Sequence, residues 1–120
     1  MLEISAQSAS SNLNTDCADL IRKVGASKVL YHTYDYLGEE EKARRVVVGI
    51  PTKWEDRQPI EVGRLYAAIG EVDKAIDLYE KGYTSRAYGW NSLQPAPPGS
   101  DDPVRTHPRY VALMKRIGRI

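Results

Sequence analysis

The chain has 120 residues, of which 42% are apolar, enough for one domain with an ordinary core. Lys and Arg number 17 against 16 Asp and Glu, so a net charge of +1 gives no long-range pull on nucleic acid or an anionic membrane. Cys17 is the only cysteine, which excludes an intrachain disulfide and a thiol-built zinc site. No stretch approaches the roughly 20 apolar residues that cross a bilayer.

Residues 1–14 are polar and Ser-rich and read as a flexible N-terminus. They carry neither a basic segment nor a continuous apolar run, so no secretory signal is expected and a cytoplasmic location is. The folded domain is expected over 15–120. Cys17, Leu20, Ile21 and Val24 form an apolar stripe, with Thr15 or Asp16 as cap and Gly25 as stop, which predicts a shielding helix near 15–24.

Two related stretches follow. Placing Gly38 over Gly70 gives an offset of 32. Leu30 then meets Val62, Tyr34 meets Tyr66, Leu37 meets Ile69, Glu39 meets Glu71 and Ala43 meets Ala75. In the second stretch Val62, Leu65, Tyr66 and Ile69 recur at helical spacing, and so do Val72, Ala75, Ile76 and Tyr79. In the first, Ala43, Val46, Val47 and Ile50 do the same. The stripes change phase at Gly38 and Gly70, where glycine tolerates the left-handed backbone that ends a helix. Acidic residues after each glycine, Glu39 to Glu41 and Glu71 with Asp73, suit the positive start of the next helix. Each copy is therefore predicted to be an antiparallel helical hairpin, over about 24–55 and 56–89. Pro51 is expected to close the first copy's second helix.

This pattern resembles the tetratricopeptide repeat, a helix-turn-helix unit of about 34 residues. Val62-Gly63, Tyr66, Gly70, Ala75, Tyr79 and Gly82 occupy that family's signature positions. The first copy keeps Leu30, Tyr34, Gly38 and Ala43, with Tyr31 where a small residue is usual, so wider helix packing is expected there. The resemblance implies an all-α fold: antiparallel helical hairpins stacked as a short superhelix with terminal capping helices. It also implies that Gly63 and Ala75 let helices approach while Tyr66 and Tyr79 fill the gaps beside them.

The loop "GWNSLQPAPPGSDD" comes next, with Trp90 and Leu93 as its expected pins. The segment "DDPVRTHPRYVALMKRIG" resembles the closing segment of bacterial tetratricopeptide proteins. Thr106 as cap, Pro108 in the first turn and the stripe Tyr110, Leu113, Met114 and Ile117 predict a capping helix over 106–118, ended by Gly118.

Chemistry-bearing patterns are sparse. No phosphate-binding loop, dinucleotide fingerprint or metal-ligand spacing is present, so no cofactor, metal or catalytic residue is predicted. A small enzyme would use His32 with Asp35, and would need a deep pocket at His32. A nucleic-acid binder would use Arg44, Arg45, Lys115, Arg116 and Arg119 on one continuous basic face. The preferred expectation is a non-catalytic scaffolding module with no nucleic-acid or membrane partner. By the family resemblance, the first helix of each unit lines a concave groove that takes a protein or peptide segment. The groove positions are then Lys28, His32, Asp35 and Tyr36, with Arg57, Ile60, Arg64, Ala67 and Ala68. The cations Lys28, Arg57 and Arg64 suggest an acidic or mixed segment, although Glu61 stands close by. Two units are few for a repeat array, so a homodimer through an end helix is the alternative expectation.

Overall fold

The computed structural model describes residues 18–120 in full. The expectations for the 1–14 segment, the cap at Thr15 or Asp16 and the packing of Cys17 concern residues outside that range. The protein is all-α, and no strand occurs among the described residues. The helices are α1 (Leu2–Tyr36), α2 (Glu40–Val48), α3 (Thr52–Arg57), α4 (Pro59–Ala68), α5 (Val72–Ser85) and α6 (Pro108–Ile117), with a 3₁₀ turn over Trp90–Ser92.

Two corrections concern helix boundaries. Gly25 does not stop a helix, because α1 continues through it to Tyr36. A mid-helix glycine costs only about 1 kcal/mol relative to alanine. Leu20 and Val24 before it and Tyr31 after it are all buried in one cluster, which holds the helix together across the weak point. The second copy's first helix is in turn broken in two. Pro59 disfavours helical backbone at the residue before it, and Gln58 accordingly leaves the helix at φ −128° and ψ 49°. Pro59 then opens α4 at a position where its missing N–H costs nothing. The preceding segment closes into α3, tied to α5 by an ion pair of 2.7 Å between the buried Glu55 and Lys74.

The hairpins α1–α2 and α4–α5 turn at Gly38 and Gly70, whose φ values are +77° and +84°. Each turn closes the same way. The Glu39 N–H donates to the Tyr34 carbonyl at 2.9 Å, and the Glu71 N–H donates to the Tyr66 carbonyl at 2.9 Å. The 32-residue offset in sequence is therefore also an offset in backbone hydrogen bonding. Glu39 and Glu71 flank the starts of α2 and α5, with Glu40, Glu41 and Asp73 in the first turns.

The core has two parts. Val24, Tyr31, Ala43 and Val47 of the first hairpin pack with Val62 and Leu65 of α4. Ile60, Ile76 and Tyr79 pack with Leu93, Val104, Tyr110, Leu113 and Met114 of the C-terminal segment. The stripe on α6 thus covers the second hairpin, and Arg109 anchors it to Asp77 at 2.6 Å and Glu80 at 2.7 Å on α5. The cap of α6 is His107 rather than Thr106. The His107 Nδ1 accepts from the Arg109 N–H at 3.1 Å, while the Thr106 hydroxyl is spent on the Asp102 carbonyl. Leu93 is buried and Trp90 stacks obliquely on Tyr83 at 5.8 Å, so both pin the loop.

Candidate functional site

The groove positions fall into three groups. Lys28, His32 and Asp35 lie on one side of α1 and are exposed, and Tyr36 at the end of that helix is 89% exposed. Arg64, Ala67 and Ala68 lie on α4. Glu61 joins the two helices: its carboxylate meets Lys28 Nζ at 3.6 Å and Arg64 Nη1 at 2.6 Å. The second Arg64 nitrogen donates to the Ser92 hydroxyl at 2.6 Å, which fixes the guanidinium against the C-terminal loop. Two of the three cations expected to meet a partner's carboxylates, Lys28 and Arg64, therefore already share one of the protein's own.

Arg57 and Ile60 do not join this group. Arg57 ends α3 and lines clefts beside Leu20, Trp54 and Asp56, away from Arg64. The kink at Gln58 redirects it. Ile60 is fully buried against the α5 and C-terminal core, so its place among the groove residues is corrected. It faces Gly82, where an added Cβ would come within 2.4 Å of Ile60 Cδ1.

A cleft of about 300 Å³ lies between α4 and the C-terminal segment. Arg64, Ala67 and Ala68 form one wall, Ser92, Leu93 and Gln94 a second, and Asp102, Val104, Arg105 and Tyr110 the third. Tyr79 closes the floor. Gly63 makes that placement feasible, since a Cβ there would lie 2.8 Å from Tyr79 Cε1. Tyr79 is only 5% exposed. Among the described residues its hydroxyl has no hydrogen-bond partner. Among the described residues no buried side-chain polar atom is left unsatisfied, so this hydroxyl opens into the cleft. Burial raises its pKa, the neighbouring Tyr110 adds to the rise, and Arg64 and Arg105 oppose it. Tyr110 donates to the Gln94 carbonyl at 2.7 Å and is also shifted upward by burial. The loop wall is held by Asp102, whose carboxylate accepts from the Val104 N–H at 3.0 Å.

A second cleft, lined by Tyr31, Asp35, Glu40, Glu41, Arg44 and Ala68 among others, flanks the first turn. His32 is not part of its lining; it stands exposed beside the Tyr31 ring at 5.2 Å. Ala68 borders both clefts. Among the described residues, no group of three His, Cys, Asp or Glu side chains is placed to hold a metal ion. The basic residues of a continuous nucleic-acid face are divided: Arg44 pairs with Glu71 and Arg45 with Glu41, while Lys115, Arg116 and Arg119 sit at the other end of the chain. Among the described residues, no helix is long and apolar enough to cross a membrane.

Sequence reasoning assigned Tyr79 to packing and did not select Ser92, Asp102, Arg105 or Tyr110 for the site. The available signal was the Asp-Pro turn before α6, which folds the loop back across α4. No family model matches the chain, and no curated protein and no solved structure matches it significantly.

Proposed function

We propose that this chain is a short tetratricopeptide-like interaction module, without catalysis of its own, that holds a partner segment along α1 and α4. The observation that carries this reading is the unpartnered Tyr79 hydroxyl at the floor of the α4 cleft. A hydroxyl on a buried ring that opens into a cleft with no bond inside the protein offers a donor and an acceptor to a ligand. The matched turns at Gly38 and Gly70 support the repeat assignment. A partner chain lying across Ala67 and Ala68 offers a backbone carbonyl or a polar side chain to Tyr79, with Arg64 and Arg105 at the rim. Because Glu61 and Asp102 accompany those cations, the cleft suits a segment of mixed polarity rather than a strongly acidic one. A cytoplasmic setting fits the single cysteine and belongs to the same proposal.

The test is selection of binding peptides on the wild-type protein, followed by their titration against Ala68→Trp. Ala68 is exposed, so the bulky ring blocks both clefts without entering the core. Loss of binding with an unchanged thermal midpoint is expected. Undiminished binding to the variant would remove the reading.

A second reading, a self-associating structural unit, rests on the outer side of α1 and the turn after it, where Val29, Leu30 and Leu37 are exposed. Light scattering decides it. A dimer that dissociates in Leu30→Ser would support it, and a monomer throughout would exclude it.

A further inference from the structure

The C-terminal third of the chain differs in charge from the rest. Residues 81–120 hold seven Lys and Arg against two Asp and no Glu, whereas residues 1–80 hold ten against fourteen acids. Part of that excess gathers at one corner, where the end of α5 meets the 3₁₀ turn and the end of α6. Arg86 stacks over Tyr83 with its Cζ 4.1 Å from the ring centre and over Trp90 at 4.7 Å. Arg116 approaches the same Tyr83 ring at 5.5 Å, while the Tyr83 hydroxyl donates to the Arg116 carbonyl at 3.2 Å. Arg119 donates to the Asn91 carbonyl beside Trp90, and Lys115 lies in the last turn of α6. Among the described residues, none of these four cations is paired with a carboxylate. The nearby cation Arg109, by contrast, is held by two.

Arg86 adds a second observation. It caps α5 in the left-handed conformation at φ 53°, the only non-glycine residue with positive φ among those described. An L-residue there costs about 1 kcal/mol that glycine would avoid. The cost places a guanidinium over two aromatic rings, where one of its nitrogens also donates to the Tyr83 carbonyl.

From this geometry we infer that the corner formed by Arg86 and Arg116 on Tyr83 and Trp90, with Lys115 and Arg119 on either side of Arg116 in the chain, docks an acidic segment of a partner protein. Clustered carboxylates match the planar forks of guanidinium groups. Arg86 lies over both rings and Arg116 over Tyr83, so these rings support the cations, and the chain's net charge of +1 gives no long-range pull on nucleic acid, which favours a protein segment. A second copy of this chain is a poor source of the carboxylates, since its Glu39 to Glu41 run is interleaved with its own cations. Lys42 pairs with Glu39 and Arg45 with Glu41. The inference is independent of the α4 cleft.

Fluorescence anisotropy with a labelled octaglutamate peptide tests it. Wild type should bind at low salt, with affinity falling as salt rises. The Arg86→Gly, Arg116→Gln double variant should bind at least about tenfold more weakly, and Ala68→Trp should bind as wild type does. Glycine relieves the left-handed backbone at residue 86, so an intact thermal midpoint in Arg86→Gly alone is expected. Equal binding by the double variant and wild type would overturn the proposal. So would tighter binding of an oligothymidylate of equal charge, or mass growth with protein concentration in the absence of peptide.

Discussion

The two hairpins fill the same gap with opposite choices of residue. In the second, Gly63 on α4 faces the large Tyr79 on α5, and both are buried. At the matching places in the first, α1 supplies the large Tyr31 and α2 the small Val47, again both buried. The large residue of the pair is supplied by α1 in the first hairpin and by α5 in the second. The exchange has a functional consequence. Tyr79 crosses beneath α4 and opens its hydroxyl into the cleft, whereas Tyr31 spends its hydroxyl on the Ala68 carbonyl at 3.4 Å, tying the two hairpins together. One hairpin's tyrosine lines a cleft, and the other's is a brace.

The sharpest way to break this comparison is to put volume where the second hairpin has none. Gly63→Val should destabilise the protein by about 3 kcal/mol in urea unfolding, because the ring of Tyr79 has nowhere to go. Tyr79→Leu in the same chain should recover part of that loss, with a coupling energy above about 0.5 kcal/mol. Additive effects would mean that the two positions do not share one space.

The next contrast compares matched positions on outer faces. Val62 is 0% exposed against the first hairpin, while its counterpart Leu30 is 45% exposed. Val62→Ala should cost about 2 kcal/mol and Leu30→Ala less than about 1 kcal/mol. Similar costs would show that the α1 face is covered in solution.

Alkaline titration separates the tyrosines from the rest of the core. Burial holds the Tyr79 and Tyr110 protons above the pH of about 10 at which an unfolded tyrosine ionises. Above that pH the unfolded state binds fewer protons than the folded state, so stability falls as pH rises. Lys74 acts in the same direction. Its hydrogen bond to Glu55 raises its pKa, so its contribution is present below about pH 10.4 and is lost as pH climbs through the folded value. Tyr79→Phe should flatten the decline, measured as the urea midpoint between about pH 8 and pH 11.

The smallest stability effect, within about 0.5 kcal/mol, is expected for Ala68→Trp, a surface substitution whose consequence should appear in binding alone.

Much of this architecture was readable because it rests on backbone necessity. Gly38 and Gly70 sit at positive φ, and the phase change in the apolar stripes pointed at both. Gly25 misled because glycine in a helix is a weak cost, which the buried Val24 and Tyr31 override. The break at Gln58 was implied by Pro59 but was hidden by the 32-residue alignment, which favoured one continuous helix. That break also explains why Arg57 parts from Arg64 and why Ile60 turns inward. The cleft was the least readable feature. Tyr79 reads as a packing residue in any helical pattern, and sequence spacing does not disclose whether its hydroxyl finds a partner. The opposing walls come from a loop whose path depends on Asp102 and Leu93, more than a dozen residues away.

The most direct test of the account is backbone chemical-shift mapping of the labelled protein with a selected peptide. The account predicts perturbations concentrated at Arg64, Ala67, Ala68, Tyr79 and residues 92–105, and absent in Ala68→Trp. Shifts confined to α2 and the outer face of α1, with the cleft residues unmoved, would contradict it.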